Sequence, residues 1–237
     1  MSTLNSQTIT YLQLARTLDL ALLKPEMTES DILAGCDLAR RYRLAAVSVK
    51  PCYLSMTVKE LAGSGVAAGT VVGFPHGGDT TPIKVAQARE GIELGATELD
   101  MVMNIGQLRS GHPVYVQDEI RAVVGEAWGK AIVKVIVETV YLTPELIVQA
   151  CQLAEAAGAS FIKTSSGFSP GGATVADIRL MRAAVGPRVQ IKAAGGIRSL
   201  DALFEVIDAG ATRVGASAAI PLLNEFKRRF PDRCADA

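Results

Sequence analysis

Short apolar runs alternate with longer amphipathic stretches along the whole chain. The runs read as strands at 17–22, 45–49, 68–73, 98–103, 131–138, 160–164, 189–193 and 213–215. Between them lie helical patterns at 29–42, 54–62, 82–94, 114–128, 144–157, 174–184, 200–209 and 218–229, and a short helix at 9–15 precedes the first strand. Thr28-Glu29-Ser30-Asp31 has the form of a capping box, and Thr143 stands as a cap ahead of a first-turn Pro144. A Gly-Ala pair joins helix to strand at 95–96, 158–159 and 210–211. One βα unit therefore recurs. Eight such units predict an α/β fold, an eight-stranded parallel TIM barrel with a short extra N-terminal helix, in a single domain covering 1–237. An open doubly wound sheet usually carries a Gly-rich dinucleotide loop after its first strand, and Leu22-Leu23-Lys24-Pro25 occupies that place here.

Composition narrows the partners. The chain is 49% hydrophobic but only 5% aromatic, so its core is built from Ala, Val, Ile and Leu, as suits parallel strands buried on both faces. Basic and acidic residues balance at 24 each, which gives no footprint for nucleic acid or an anionic membrane. No apolar run is long enough to span a bilayer. The polar first ten residues lack the basic-then-apolar order of a signal peptide. Cys36, Cys52, Cys151 and Cys234 are scattered, so reduced thiols and a cytoplasmic setting are expected.

Chemistry concentrates where strands end, which is where a barrel of this kind has its active site. Lys163 ends Phe161-Ile162-Lys163, Lys192 ends Gln190-Ile191-Lys192, and Asp19, Lys50, Asp100, Asn104, Lys134 and Glu138 lie in or after other strands. Alternation places Lys134 on the same side as Glu138. Any one of these alone reads as a solvated rim or a structural ion pair. Together they suggest that Lys163 is a nucleophile whose proton is repelled by Lys192, with Asp100 moving protons to and from the bound substrate. Asp19 and Lys134 are placed with the substrate-binding residues of the same mouth. Gly195-Gly196 after strand seven and Gly215-Ala216-Ser217 after strand eight suit a phosphate, which backbone N–H groups and a helix N-terminus would hold. The only histidines, His76 and His112, stand in turn-like sequence and cannot build a three-histidine zinc site, so no metal is expected.

These residues form a pattern that resembles deoxyribose-phosphate aldolase, a class I, Schiff-base aldolase family. It is carried by Leu-Leu-Lys-Pro (22–25), Val-Gly-Phe-Pro-His-Gly (72–77), Gly-Ala-Thr-Glu-Leu-Asp-Met-Val-Met-Asn-Ile-Gly (95–106), Val-Lys-Val-Ile-Val-Glu-Thr (133–139), Phe-Ile-Lys-Thr-Ser-Ser-Gly-Phe (161–168), Lys-Ala-Ala-Gly-Gly-Ile-Arg (192–198) and Gly-Ala-Thr-Arg-Val-Gly-Ala-Ser (210–217). The resemblance implies Lys163 as the Schiff-base lysine, Asp100 as the proton relay and Lys192 as the activating lysine. It places Gly167, Gly195, Gly196, Gly215 and Ser217 around a substrate phosphate. It further implies reversible cleavage of 2-deoxyribose 5-phosphate to glyceraldehyde 3-phosphate and acetaldehyde, no cofactor, and a homo-oligomer, expected to be a dimer.

Three stretches depart from the family pattern. Asp19-Leu20-Ala21 stands for Asp-His-Thr, Ser48-Val49-Lys50-Pro51 for Cys-Val-Asn-Pro, and Ala218 replaces the second of two phosphate-loop serines. Lys50 is accordingly read as a contact for the phosphate or for a carboxylate in an altered acceptor, against a surface lysine paired with a nearby acid. Other readings stay open: a lysine-dependent aldolase acting on another phosphosugar or a keto acid, and a non-catalytic barrel that binds a sugar phosphate. The segment after Arg229 reads as loosely ordered.

Overall fold

The computed structural model describes residues 4–236. Strands β1 (Leu18–Leu22), β2 (Ala46–Val49), β3 (Ala67–Val72), β4 (Glu98–Val102), β5 (Ile132–Ile136), β6 (Phe161–Lys163), β7 (Gln190–Ala194) and β8 (Arg213–Gly215) pair in parallel in chain order. Strand β8 returns to β1 and closes the barrel. The helices are α1 (Tyr11–Ala15), α2 (Glu29–Arg41), α3 (Leu54–Leu61), α4 (Thr81–Glu93), α5 (Ile105–Arg109), α6 (Pro113–Ala127), α7 (Pro144–Ala156), α8 (Val175–Ala184), α9 (Leu200–Asp208) and α10 (Ala219–Arg229). The TIM barrel and its leading helix are as the periodicity predicts, with ends within two residues. The one α-helix not foreseen is α5, a single short helix that Asn104 caps by accepting from the Gln107 N–H at 3.1 Å.

The Gly-Ala joins share one mechanism. Gly95, Gly158 and Gly210 all take positive φ, at 98°, 88° and 114°. In each case the following alanine N–H returns to a carbonyl in the last helical turn: Ala96 to Gly91, Ala159 to Ala154 and Ala211 to Val206, at 2.9–3.0 Å. These are Schellman closures, and they aim the chain directly into β4, β6 and β8. The same closure ends α2 with Arg43 in the left-handed position, at φ 54°.

Side-chain alternation then separates two interiors. Leu99 and Met101 of β4 join the apolar layer between strands and helices, while Glu98 and Asp100 face into the barrel. Thr143 caps α7 by accepting from Leu146, as expected, and Asp31 accepts from the Thr28 N–H at 2.8 Å at the head of α2.

Two expectations are corrected. Strand β5 stops at Ile136, so alternation no longer relates Lys134 to Glu138. Glu138 turns to φ 55° and accepts from the Ser166 N–H at 3.1 Å, tying down the loop after β6. The segment after Arg229 is held in place. Pro231–Arg233 forms a helical turn, and Arg233 donates to the Ser6 carbonyl. The Asp236 carboxylate accepts from the Thr10 hydroxyl at 2.7 Å, and its carbonyl accepts from Arg43. The segment thus packs beside α1, at the end of the barrel away from the strand C-termini.

Candidate active site

Lys163 is the last residue of β6 and pairs in register with Lys192 of β7. The two strands are locked above this pair. The Thr164 hydroxyl donates to the Ala194 carbonyl at 3.1 Å and accepts from the Ala194 N–H at 3.0 Å. Both lysines line a pocket of about 320 Å³ at the strand C-terminal ends, together with Asp19, Gly167, Gly195, Gly196, Gly215 and Ser217. The predicted catalytic lysines and all five predicted phosphate-loop residues thus share one cavity.

Asp100 lies one layer deeper and is not part of the pocket wall. Its Oδ2 accepts from Lys163 at 2.7 Å and from Lys192 at 2.8 Å, while its Oδ1 accepts from Lys134 at 2.7 Å. Lys134, expected among the substrate-binding residues, is fully buried beneath Asp100 and away from the pocket wall. The reason is its register: Lys134 pairs with Asp100 of β4, which likewise lies below the pocket wall. Asp19 does reach the pocket wall, but its oxygens are committed to Lys192 at 2.6 Å and Arg213 at 2.6 Å.

Electrostatics single out Lys163. Burial destabilises its ammonium, Asp100 opposes that effect, and Lys192 and Lys134 reinforce it, so the lysine falls from 10.5 to about 8. Burial therefore outweighs the repulsion by Lys192 that the sequence suggests. Burial raises the Asp100 carboxyl, but Lys134, Lys163 and Lys192 together hold it well below the ordinary carboxylate range. The lysine can shed its proton while the aspartate stays ionised.

The mouth has features the sequence reading missed. Lys24, Arg198 and Phe168 also line the pocket. The Phe168 ring meets Phe74 edge-on at 5.1 Å. Gly215 leaves room for the Lys192 side chain, since a Cβ there would sit 3.3 Å from its Cε. Ser48 lies on the pocket wall, and its buried hydroxyl has no hydrogen-bond partner among the described residues. It pairs in register with Ala21, so two departures from the family pattern are neighbours.

Lys50 does not face the pocket. Its ammonium donates to the Lys24 and Pro25 carbonyls at 2.9 and 3.1 Å and pins the loop after β1. The expectation of an anion contact is corrected accordingly. His76 is exposed, and His112 precedes α6 with Nδ1 2.6 Å from the Gln107 side chain. Among the described residues no group of three His, Cys, Asp or Glu side chains is placed to hold a metal ion. Nor is any helix long and apolar enough to cross a membrane.

A primary amine that can lose its proton near neutral pH, at the mouth of such a barrel, is what a class I aldolase requires. The comparisons agree. Residues 14–228 match the DeoC/LacD family aldolase model. A deoxyribose-phosphate aldolase of Enterococcus faecalis is 47% identical over 213 residues, covering 90% of this chain and 97% of the relative. A solved structure described as a putative deoxyribose-phosphate aldolase from Coccidioides immitis is 38% identical. It superposes with a TM-score of 0.90 over 93% of this chain and 88% of its own. A tetrameric deoxyribose phosphate aldolase from Aeropyrum pernix is 29% identical, with a TM-score of 0.86 over 93% of this chain and 94% of its own. The chain belongs to the DeoC/LacD family of aldolases, and it is a class I aldolase.

Proposed function

We propose that the protein reversibly cleaves 2-deoxyribose 5-phosphate to glyceraldehyde 3-phosphate and acetaldehyde, with Lys163 as the Schiff-base nucleophile. One observation carries the residue assignment: Lys163 is the pocket amine that burial brings to about 8, beside a carboxylate that remains charged. Neutral Lys163 attacks C1 of the open-chain sugar, and loss of water from the carbinolamine leaves an iminium. The C3 hydroxyl gives up its proton, the C2–C3 bond breaks, and its electron pair moves into the iminium to form an enamine. Glyceraldehyde 3-phosphate departs. Protonation of the enamine at C2 and hydrolysis release acetaldehyde and restore the lysine. Asp100 exchanges protons with Lys163 and Lys192 across the 2.7 and 2.8 Å hydrogen bonds, and Lys192 carries them at the pocket wall.

Gly167, Gly195, Gly196, Gly215 and Ser217 hold the phosphate in this reading, with Lys24 and Arg198 adding positive charge at the mouth. Asp19 orients Lys192 from below. The whole chain acts as one domain, in the cytoplasm and without a cofactor, as a homo-oligomer with a dimer expected. The support for assembly is that the Aeropyrum pernix relative is described as tetrameric. Product analysis tests the substrate assignment. Incubation with 2-deoxyribose 5-phosphate should yield both aldehydes. Turnover confined to another phosphosugar or a keto acid would redirect the assignment.

Two further outcomes follow. The acid limb of kcat/KM should have its midpoint near pH 8, because the reactive form of Lys163 is the neutral amine. A profile flat from pH 6 to pH 10 would contradict this. Lys50→Met should leave KM for 2-deoxyribose 5-phosphate within about twofold. It should lower the thermal midpoint by about 2–4 °C, for loss of about 1 kcal/mol of partly exposed hydrogen bonding. A KM increase of about tenfold would restore the anion-contact role.

A further inference from the structure

Six charged side chains at and beneath the pocket floor close a ring. Arg213 Nη1 meets Asp19 Oδ1 at 2.6 Å, and Asp19 Oδ2 meets Lys192 at 2.6 Å. Lys192 meets Asp100 Oδ2 at 2.8 Å, and Asp100 Oδ1 meets Lys134 at 2.7 Å. Lys134 meets Glu98 Oε2 at 2.6 Å, and Glu98 Oε1 returns to Arg213 Nη2 at 2.9 Å. Each carboxylate spends one oxygen in each direction, and cations alternate with anions all the way round. Three cations and three carboxylates make the ring neutral. Lys163 hangs outside it, attached at Asp100 Oδ2 alone.

From this geometry we infer that Arg213 and Glu98 are positioning residues for the aldol reaction: they complete a charge-neutral ring that leaves Lys163, among the described residues, as the single surplus cation of the barrel interior. The inference rests on Lys163 being the Schiff-base lysine. Neither Arg213 nor Glu98 lines the pocket, so neither reaches substrate. They act through the two arms of the ring. One arm runs through Asp19 to Lys192, and the other runs through Lys134 to Asp100. The charged groups that face Lys163 are Asp100 from β4, Lys134 from β5 and Lys192 from β7. Lys24 and Arg198 stand further out at the mouth. With the ring neutral, the interior relieves its one uncompensated charge by releasing the Lys163 proton, and no other member of the ring can do so without opening a gap.

Charge removal at the two lower positions should act with opposite sign. Glu98→Gln takes away a negative charge and makes the Lys163 ammonium less stable. Arg213→Gln takes away a positive charge and makes it more stable. The measurement is the pH dependence of borohydride trapping of acetaldehyde on Lys163, read by peptide mass mapping, alongside the pH profile of kcat/KM. Relative to the wild type, Glu98→Gln should move the midpoint down by about one pH unit and Arg213→Gln should move it up by about one. Arg213→Lys should return it toward the wild type. The double variant Glu98→Gln/Arg213→Gln, neutral again, should also lie near the wild type. A purely structural role would lower rates and thermal stability without moving the midpoints, or would move both the same way, and either result overturns the proposal. If Arg213→Gln does not fold, the near-isosteric Glu98→Gln and the charge-conserving Arg213→Lys still decide, since the first must move the midpoint down and the second must leave it in place. Absence of a Lys163 adduct in the wild-type protein overturns the nucleophile assignment and the ring's role with it. An adduct with unmoved midpoints overturns the ring alone.

Discussion

Lys163→Met should lower turnover of 2-deoxyribose 5-phosphate by at least about a thousandfold while leaving the barrel as stable as before. The two halves of this result come from different physics. The first is loss of the pocket-wall amine that burial brings to about 8. The second follows from what remains. Asp100 keeps Lys134 and Lys192, at 2.7 and 2.8 Å, so no buried carboxylate is stranded, and methionine fills nearly the same volume. The unfolding free energy should therefore not fall by more than about 1 kcal/mol near pH 7, and loss of the surplus buried ammonium favours the variant. Its pH dependence should change too. A lysine lowered on folding binds its proton less well than in the unfolded chain. The wild type should accordingly gain stability as pH rises from about 8 toward the unfolded value of 10.5, and the variant should lack that gain. Thermal melts of both proteins across this range test the point. A variant that retains more than a tenth of wild-type turnover would remove Lys163 from the mechanism.

Asp100→Asn should be damaging in a different way. The carboxylate serves three buried lysines at once, and its neutral replacement leaves their charges only partly compensated. A loss of about 3 kcal/mol is expected, seen as a thermal midpoint lower by on the order of 10 °C. Chemistry should split from binding. With a negative charge removed, Lys163 loses its proton more readily, so acetaldehyde should still be trapped on it. Turnover should fall by about 10²–10⁴-fold, the usual worth of a positioned proton-transfer group. Comparing trapping with turnover in the folded variant separates the two roles. Equal loss of both would show that Asp100 merely holds Lys163 in place.

The barrel could be read from the chain because its signals are local. Each βα unit announces itself through an apolar run and a helical pattern, and three of them add a Gly-Ala stop whose glycine takes positive φ. Lys163 is legible for the same reason, since it ends a run that needs no partner to recognise, whereas Lys192, expected to end its strand, lies two residues inside β7, which runs on through Ala193-Ala194. What was not legible depends on register between strands far apart in sequence. Arg213 opens β8, and it joins the buried ion pairs only because closure of the barrel brings it to Asp19 and Glu98, 194 and 115 residues away. Lys134 could not be assigned a depth without knowing that it pairs with Asp100. Lys50 follows β2 in a departure from the family motif that suggests an anion contact or a surface ion pair, but the carbonyls that capture it belong to the neighbouring loop. The fully buried ion pair of Lys84 with Glu119, at 2.9 Å, was invisible for the same reason, since it joins α4 to α6.

In the proposed mechanism one lysine among the three buried in the barrel interior forms the covalent intermediate. Borohydride reduction in the presence of acetaldehyde, followed by peptide mass mapping, tests it most directly. A single reduced adduct is expected, on Lys163, with a yield that rises with pH through about 8. An adduct on Lys192 or Lys134 instead, or none on any lysine of the barrel, would contradict it.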